Sequence, residues 1–93
     1  MNTKEQIKDI FEKLYRVFRE KKEEITYNDI VKETKINRTS IISYIIPFLV
    51  YEVVKFKRIA RCKLFYLTEN HEEKYKKMIE DLEKKGVLEI FYR

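Results

Sequence analysis

The sequence predicts a mostly helical α+β fold: three helices, a two-stranded hairpin, then a fourth helix. Apolar residues recur at helical spacing as far as about Tyr51 and again over 70–85. Between these stretches, after Glu52, the period changes to strict alternation. One Gly and one Pro in 93 residues exclude flexible linkers, a Gly-rich phosphate loop and low-complexity segments. Residues 1–93 therefore read as a single domain with a modest core and no deep catalytic cavity.

The first helix is expected over Thr3 to Lys22. Ile7, Ile10, Phe11, Leu14, Tyr15, Val17 and Phe18 form its broad apolar face, Thr3 its cap, and Gln6 the capping-box partner. Lys21 to Glu24 is a polar connection, followed by an extended piece that turns Ile25 inward. Thr26 caps a compact second helix, Tyr27 to Thr34, with Ile30 and Val31 facing in and Tyr27 alongside. Ile36 is a plug between helices. Asn37 or Arg38 opens the third helix, with Thr39 and Ser40 able to satisfy first-turn amides. That helix runs to about Tyr51, with Ile41, Ile45, Phe48 and Leu49 on one face and Thr39, Ser40, Ile42, Ser43 and Ile46 on the other. Pro47 lies inside it, where a proline costs roughly 3 kcal/mol, so a bend or a restart is expected. Strands follow at about 53–59 and 63–68, joined through Ile59-Ala60-Arg61-Cys62. No Asn-Gly or Asp-Gly fixes the turn type. The last helix, 70–85, carries a stripe of Tyr75, Met78, Ile79 and Leu82, with Gly86 as its C-cap. Residues 87–92 read as an apolar, strand-like tail.

The charge is local. Residues 32–63 hold eight Lys and Arg against two Glu, a net of +6, while 1–31 sum to zero and 64–93 to −1. The formal +5 of the chain is thus concentrated on the second helix, third helix and hairpin, the pattern of a surface made for a polyanion.

In this order and spacing, residues 26–69 resemble the winged helix-turn-helix transcription regulators of bacteria and archaea, especially the MarR-like and PadR-like groups. Ile36-Asn37-Arg38-Thr39-Ser40-Ile41 is similar to the opening of their recognition helix. Phe65-Tyr66-Leu67-Thr68-Glu69 is similar to the end of their wing, and Tyr44 to Pro47 to the Tyr-Pro element of PadR-like helices. The likeness covers about 5–85. It departs at Glu52, where those families usually have a Gly, and at Asn70, where a Gly often follows the Thr-Glu. Positive φ is uncommon for other residues, so the turn at Glu52 is expected to differ. The resemblance implies a three-helix core, a two-stranded β-wing and an additional C-terminal helix. It also implies a source among archaea or their viruses and plasmids.

The function expected is a sequence-specific regulator that binds double-stranded DNA as a homodimer. A recognition helix reads bases in the major groove through outward residues near its start, here Arg38, Thr39, Ser40, Ile42, Ser43 and Tyr44. Lys35, Lys55, Lys57, Arg58, Arg61 and Lys63 would hold the backbone or enter a minor groove. Ile7, Phe11, Tyr75, Met78, Ile79, Leu82 and Phe91 form the expected dimer interface. Packing of the last helix on the first within one chain is the alternative for that stripe. A protein-interaction module and a non-specific architectural DNA protein are the competing functions.

An enzyme is not expected. His71, the one His, lies between polar neighbours and reads as a solvated residue, and no Cys–His or Ser–His–Asp set can be assembled. One Cys excludes an intrachain disulfide framework and a Cys-cluster zinc site, and leaves Cys62 a free thiol near the hairpin tip. No cofactor, metal or small-molecule effector is evident. The polar start MNTKEQIKD is neither signal peptide nor anchor, and the longest apolar run, Ile45 to Tyr51, is too short to span a bilayer. A cytoplasmic protein, in the nucleoid or in a host cell, is the expectation.

Overall fold

The computed structural model describes residues 4–21, 24–86 and 90–91. Among them are four main helices and a two-stranded antiparallel hairpin: α1 Lys4–Lys21, α2 Tyr27–Thr34, α3 Arg38–Val50, β1 Val54–Ile59, β2 Cys62–Leu67 and α4 His71–Lys85. The fold is α+β and mostly helical, as the periodicities predict. No helix among the described residues is long and apolar enough to cross a membrane.

Local chemistry sets the boundaries. Thr26 and Asp29 form a reciprocal capping box: the Asp29 N–H donates to Thr26 Oγ1 (3.2 Å) and the Thr26 N–H to Asp29 Oδ2 (2.9 Å). Lys35 ends α2 in the left-handed conformation, its N–H bonded to the Val31 carbonyl. Asn37 caps α3 by accepting from the Ser40 N–H at 2.9 Å, so the first turn is capped by Asn37 rather than by the Thr39 and Ser40 hydroxyls. Pro47 is buried and neither ends nor restarts α3, which is assigned continuously to Val50. The α1 cap expected of Thr3 lies outside the described residues.

The turn at Glu52 keeps the geometry for which glycine is usual. Glu52 itself adopts φ 59°, and Lys35, Ala60 and Asn70 are likewise left-handed. β1 and β2 pair from Val54↔Leu67 to Ile59↔Cys62. Their turn is the dipeptide Ala60-Arg61, with positive φ at its first residue only, as in a type II′ turn. Ile25 adds an isolated antiparallel bridge to Phe65, with paired N–H···O distances of 3.0 and 2.8 Å, which ties the hairpin to the start of α2.

The core is aromatic and centred on α1. Phe11 meets Phe48 edge-on (5.6 Å between ring centroids) and stacks near Phe91 (6.1 Å), while Tyr15 stacks on Tyr75 at 4.0 Å. Ile7, Leu14, Ile30, Ile41, Ile45, Met78 and Leu82 fill the space around them. Ile36, expected as a buried plug, is half-buried. Ile90 and Phe91 are helical rather than strand-like, and Ile90 is fully buried; 87–89 and Tyr92 lie outside the described residues.

Burial within one chain also decides how much of the expected dimer surface remains. Ile7, Phe11, Met78 and Leu82 are interior, because α3, α4 and residues 90–91 pack around α1 and use the apolar face that looked surplus. Tyr75, Ile79 and Phe91 are half-buried. His71 is half-buried rather than solvated: its Nδ1 lies 2.7 Å from the Tyr15 hydroxyl. Burial raises the pKa of the Tyr75 hydroxyl far above the usual tyrosine value, and that hydroxyl has no hydrogen-bond partner among the described residues. Asp81, further along α4, is buried and accepts from the Tyr51 hydroxyl (2.7 Å) and from Lys77 (3.2 Å). These bonds, Tyr51 first, hold its carboxyl below the ordinary carboxylate range.

Candidate nucleic-acid interface

The first turn of α3 and the hairpin are joined by a run of aromatic rings with a cation at each end. Arg38 holds its guanidinium 5.5 Å from the Tyr27 ring centroid. Tyr27 meets Phe65 edge-on at 4.8 Å, Phe65 lies 6.0 Å from Phe56, and Lys63 places its ammonium 4.9 Å from the Phe56 ring. Cation–π contacts at exposed sites contribute about 0.5–1 kcal/mol each, enough to bias where a flexible side chain rests. Burial raises the pKa of the Tyr27 hydroxyl, with Arg38 opposing the shift. Between these residues lies a cleft of about 280 Å³ lined by Thr26, Tyr27, Asn28, Arg38, Arg61, Cys62 and Lys63. Three of the seven are cations and none is an acid.

The remaining hairpin cations stand outward. Lys55, Lys57, Arg58 and Arg61 are exposed, and Lys63 is half-buried. Lys57 is partly neutralised by Glu24 at 2.6 Å, a half-exposed pair of small energetic weight. Lys35 is exposed at the end of α2, away from the hairpin in sequence. Cys62 is an exposed free thiol that begins β2 opposite Ile59. Among the described residues, no cluster of His, Cys, Asp and Glu is arranged to hold a metal ion.

The six residues expected to read bases divide into two groups. Arg38, Thr39, Ile42 and Ser43 are exposed on the outer side of α3. Ser40 is half-buried, with its N–H engaged by Asn37. Tyr44 is half-buried and turns toward the core, edge-on to Phe11 (6.2 Å) and Phe91 (6.0 Å).

Two further α3 residues belong to the outer face. Ile42, Ile46 and Val50 are 43%, 40% and 43% exposed and follow each other at four-residue steps, so they form one ridge. Ile46 is outward in the sequence pattern, further from the start of the helix than Ile42, and Val50 gives no signal. The helix is apolar on both sides, so hydrophobicity does not separate its faces. The four-residue repeat was the available clue. Phe56, on the inward alternation of β1, is 41% exposed because the hairpin extends beyond the helices that would cover it. Tyr27, read as a helper of the core, also carries Arg38.

No family model, curated protein or solved structure matches this chain.

Proposed function

We propose that the chain is a winged helix-turn-helix protein that binds double-stranded DNA. In this reading α3 enters the major groove, the hairpin is the wing along the phosphate backbone, and the protein acts as a sequence-specific transcription regulator. One observation carries the proposal. Arg38, Lys55, Arg58, Arg61 and Lys63 stand at the start of α3 and along the hairpin, beside an exposed helix face without an acidic residue. Phosphates neutralised by such residues release counterions, which makes affinity fall steeply with salt.

Fluorescence anisotropy with labelled duplexes tests this. Five phosphate contacts predict a slope of about −4.5 for log affinity against log salt per bound chain. Replacing Arg58 and Arg61 together by Ala should flatten that slope by about 2. Absence of binding to any duplex at low salt refutes the proposal.

The reading extends to two copies on a pseudo-palindrome, with recognition helices about 34 Å apart. Tyr75, Ile79 and Phe91 would supply the two-fold contact, since they retain surface in the single chain. Sedimentation equilibrium checks this part: a monomer at every concentration, with and without DNA, removes the dimer and leaves single-site binding.

A second reading, a protein-interaction module, draws on the aliphatic ridge Ile42-Ile46-Val50, which resembles the anchor row of a helix that docks into a groove. It predicts no duplex binding and a partner complex that persists at high salt.

A further inference from the structure

We infer that the outer face of α3 reads the C5 methyl groups of thymine, so that the duplex this chain selects is rich in thymine where that face meets the major groove. The inference rests on the DNA-binding reading above and adds what the helix recognises.

The side-chain inventory of the helix leads to it. Base edges are read bidentately by Arg or Lys on guanine and by Asn or Gln on adenine, while acids accept from the amino group of cytosine. The α3 sequence RTSIISYIIPFLV contains no Lys, Asn, Gln, Asp or Glu. Arg38 is its one long polar side chain, and that guanidinium rests over Tyr27 at the edge of the wing cleft. The outer face otherwise offers the short hydroxyls of Thr39 and Ser43 and the ridge Ile42, Ile46 and Val50. The major groove presents one apolar group, the thymine methyl, and aliphatic and threonine methyls contact it.

Spacing and charge favour the same occupant. Four helical residues advance about 6 Å, close to two base-pair steps of about 3.4 Å. The ridge residues can thus meet successive methyls as the helix follows the groove. A partner that is apolar in its groove and anionic along its backbone suits an aliphatic ridge on a helix that begins with Arg38 and is followed by a hairpin carrying Lys55, Arg58, Arg61 and Lys63. A thymine-rich major groove between two phosphate strands has that pattern.

The test uses the full chain and short synthetic duplexes of alternating dA·dT, the same sequence with uracil for thymine, alternating dG·dC, and dG·dC with 5-methylcytosine. Each methyl removed from water is worth about fourfold in affinity, so two contacts predict about fifteen-fold tighter binding to dA·dT than to dA·dU. Methylating cytosine should tighten binding to the dG·dC duplex in the same direction. Replacing Ile42 and Ile46 together by Ala should shrink both differences several-fold while the salt slope, set by the wing, persists. Both positions are exposed, and an unchanged thermal midpoint verifies the fold. Equal binding to dA·dT and dA·dU, with a steep salt dependence, overturns this inference and leaves DNA binding intact. So does a double variant that keeps the full thymine preference. No binding to any of the four duplexes at low salt overturns both readings.

Discussion

Glu52→Gly should stabilise the protein, and the size of the gain follows from its backbone. Glu52 holds φ 59°, where an L-residue with a Cβ carries a penalty of about 1–2 kcal/mol. Glycine removes that penalty but loses more chain entropy on folding, about 0.5–1 kcal/mol. The difference favours glycine by about 0.5–1 kcal/mol. The contacts at this turn are made by the main chain and survive the change: the Glu52 N–H donates to the Leu49 carbonyl (3.1 Å), and the Glu52 carbonyl accepts from the Thr68 hydroxyl (2.5 Å). For a domain of this size the midpoint should rise by about 2–8 °C in differential scanning calorimetry. Glu52→Ala is the control. It removes the same charge from a basic region but keeps the Cβ, so it should change stability by less than about 0.5 kcal/mol. An unchanged or lowered midpoint for the glycine variant refutes the strain argument. An alanine variant as stable as the glycine variant would assign the effect to charge instead.

Three further outcomes are expected. Thr26→Ala removes one half of the capping box and should cost about 1 kcal/mol in urea unfolding, whereas Thr26→Ser should cost far less. Phe65→Ala empties a fully buried site between Tyr27 and Phe56 and should cost about 3–5 kcal/mol; a loss below 1 kcal/mol would mean that the hairpin is not anchored there. The lowered pKa of Asp81 means that its contribution to stability is complete above the ordinary Asp value of about 4 and is lost as pH falls through the lower folded value. Tyr51→Phe should therefore reduce the acid-induced fall in thermal midpoint, and an identical pH profile in that variant would exclude the Tyr51–Asp81 bond as its source.

Much of this architecture was legible because its signals are local. Thr26 marks the start of α2 without help from the rest of the chain, with Asp29 completing the box in the structure, and the change of period after Glu52 marks the hairpin. What the sequence left unread depends on distant partners. The flanks of His71 are polar, yet Tyr15 reaches it from α1. Phe11 and Met78 looked available to a second subunit because α1 has a face wider than one neighbour needs, and α3, α4 and Ile90 together cover it. Residues 90–91 were too short a stretch to show helical period. The candidate interface was half legible: the cations of the hairpin could be counted and the helical phase put Ile42 and Ile46 opposite the buried Ile41 and Ile45, but a polar ring could not be assigned to either side without knowing where the core lay. Tyr44 shows the cost, since its half-buried ring packs near Phe11 and Phe91.

The bridge between Ile25 and Phe65 has a kinetic consequence. The hairpin closes across the two-residue turn Ala60-Arg61, whereas the bridge joins positions about forty residues apart, and closing a loop about twentyfold longer costs about 2.7 kcal/mol more in chain entropy. The hairpin therefore acquires its own register early, and its attitude toward the helices is among the last features to be fixed. A substitution at Ile25 should speed unfolding far more than it slows folding. The buried Ile25 side chain, with the bridge beside it and the Tyr27–Phe65 contact, thus bears more on how long the assembled surface lasts than on how quickly it forms.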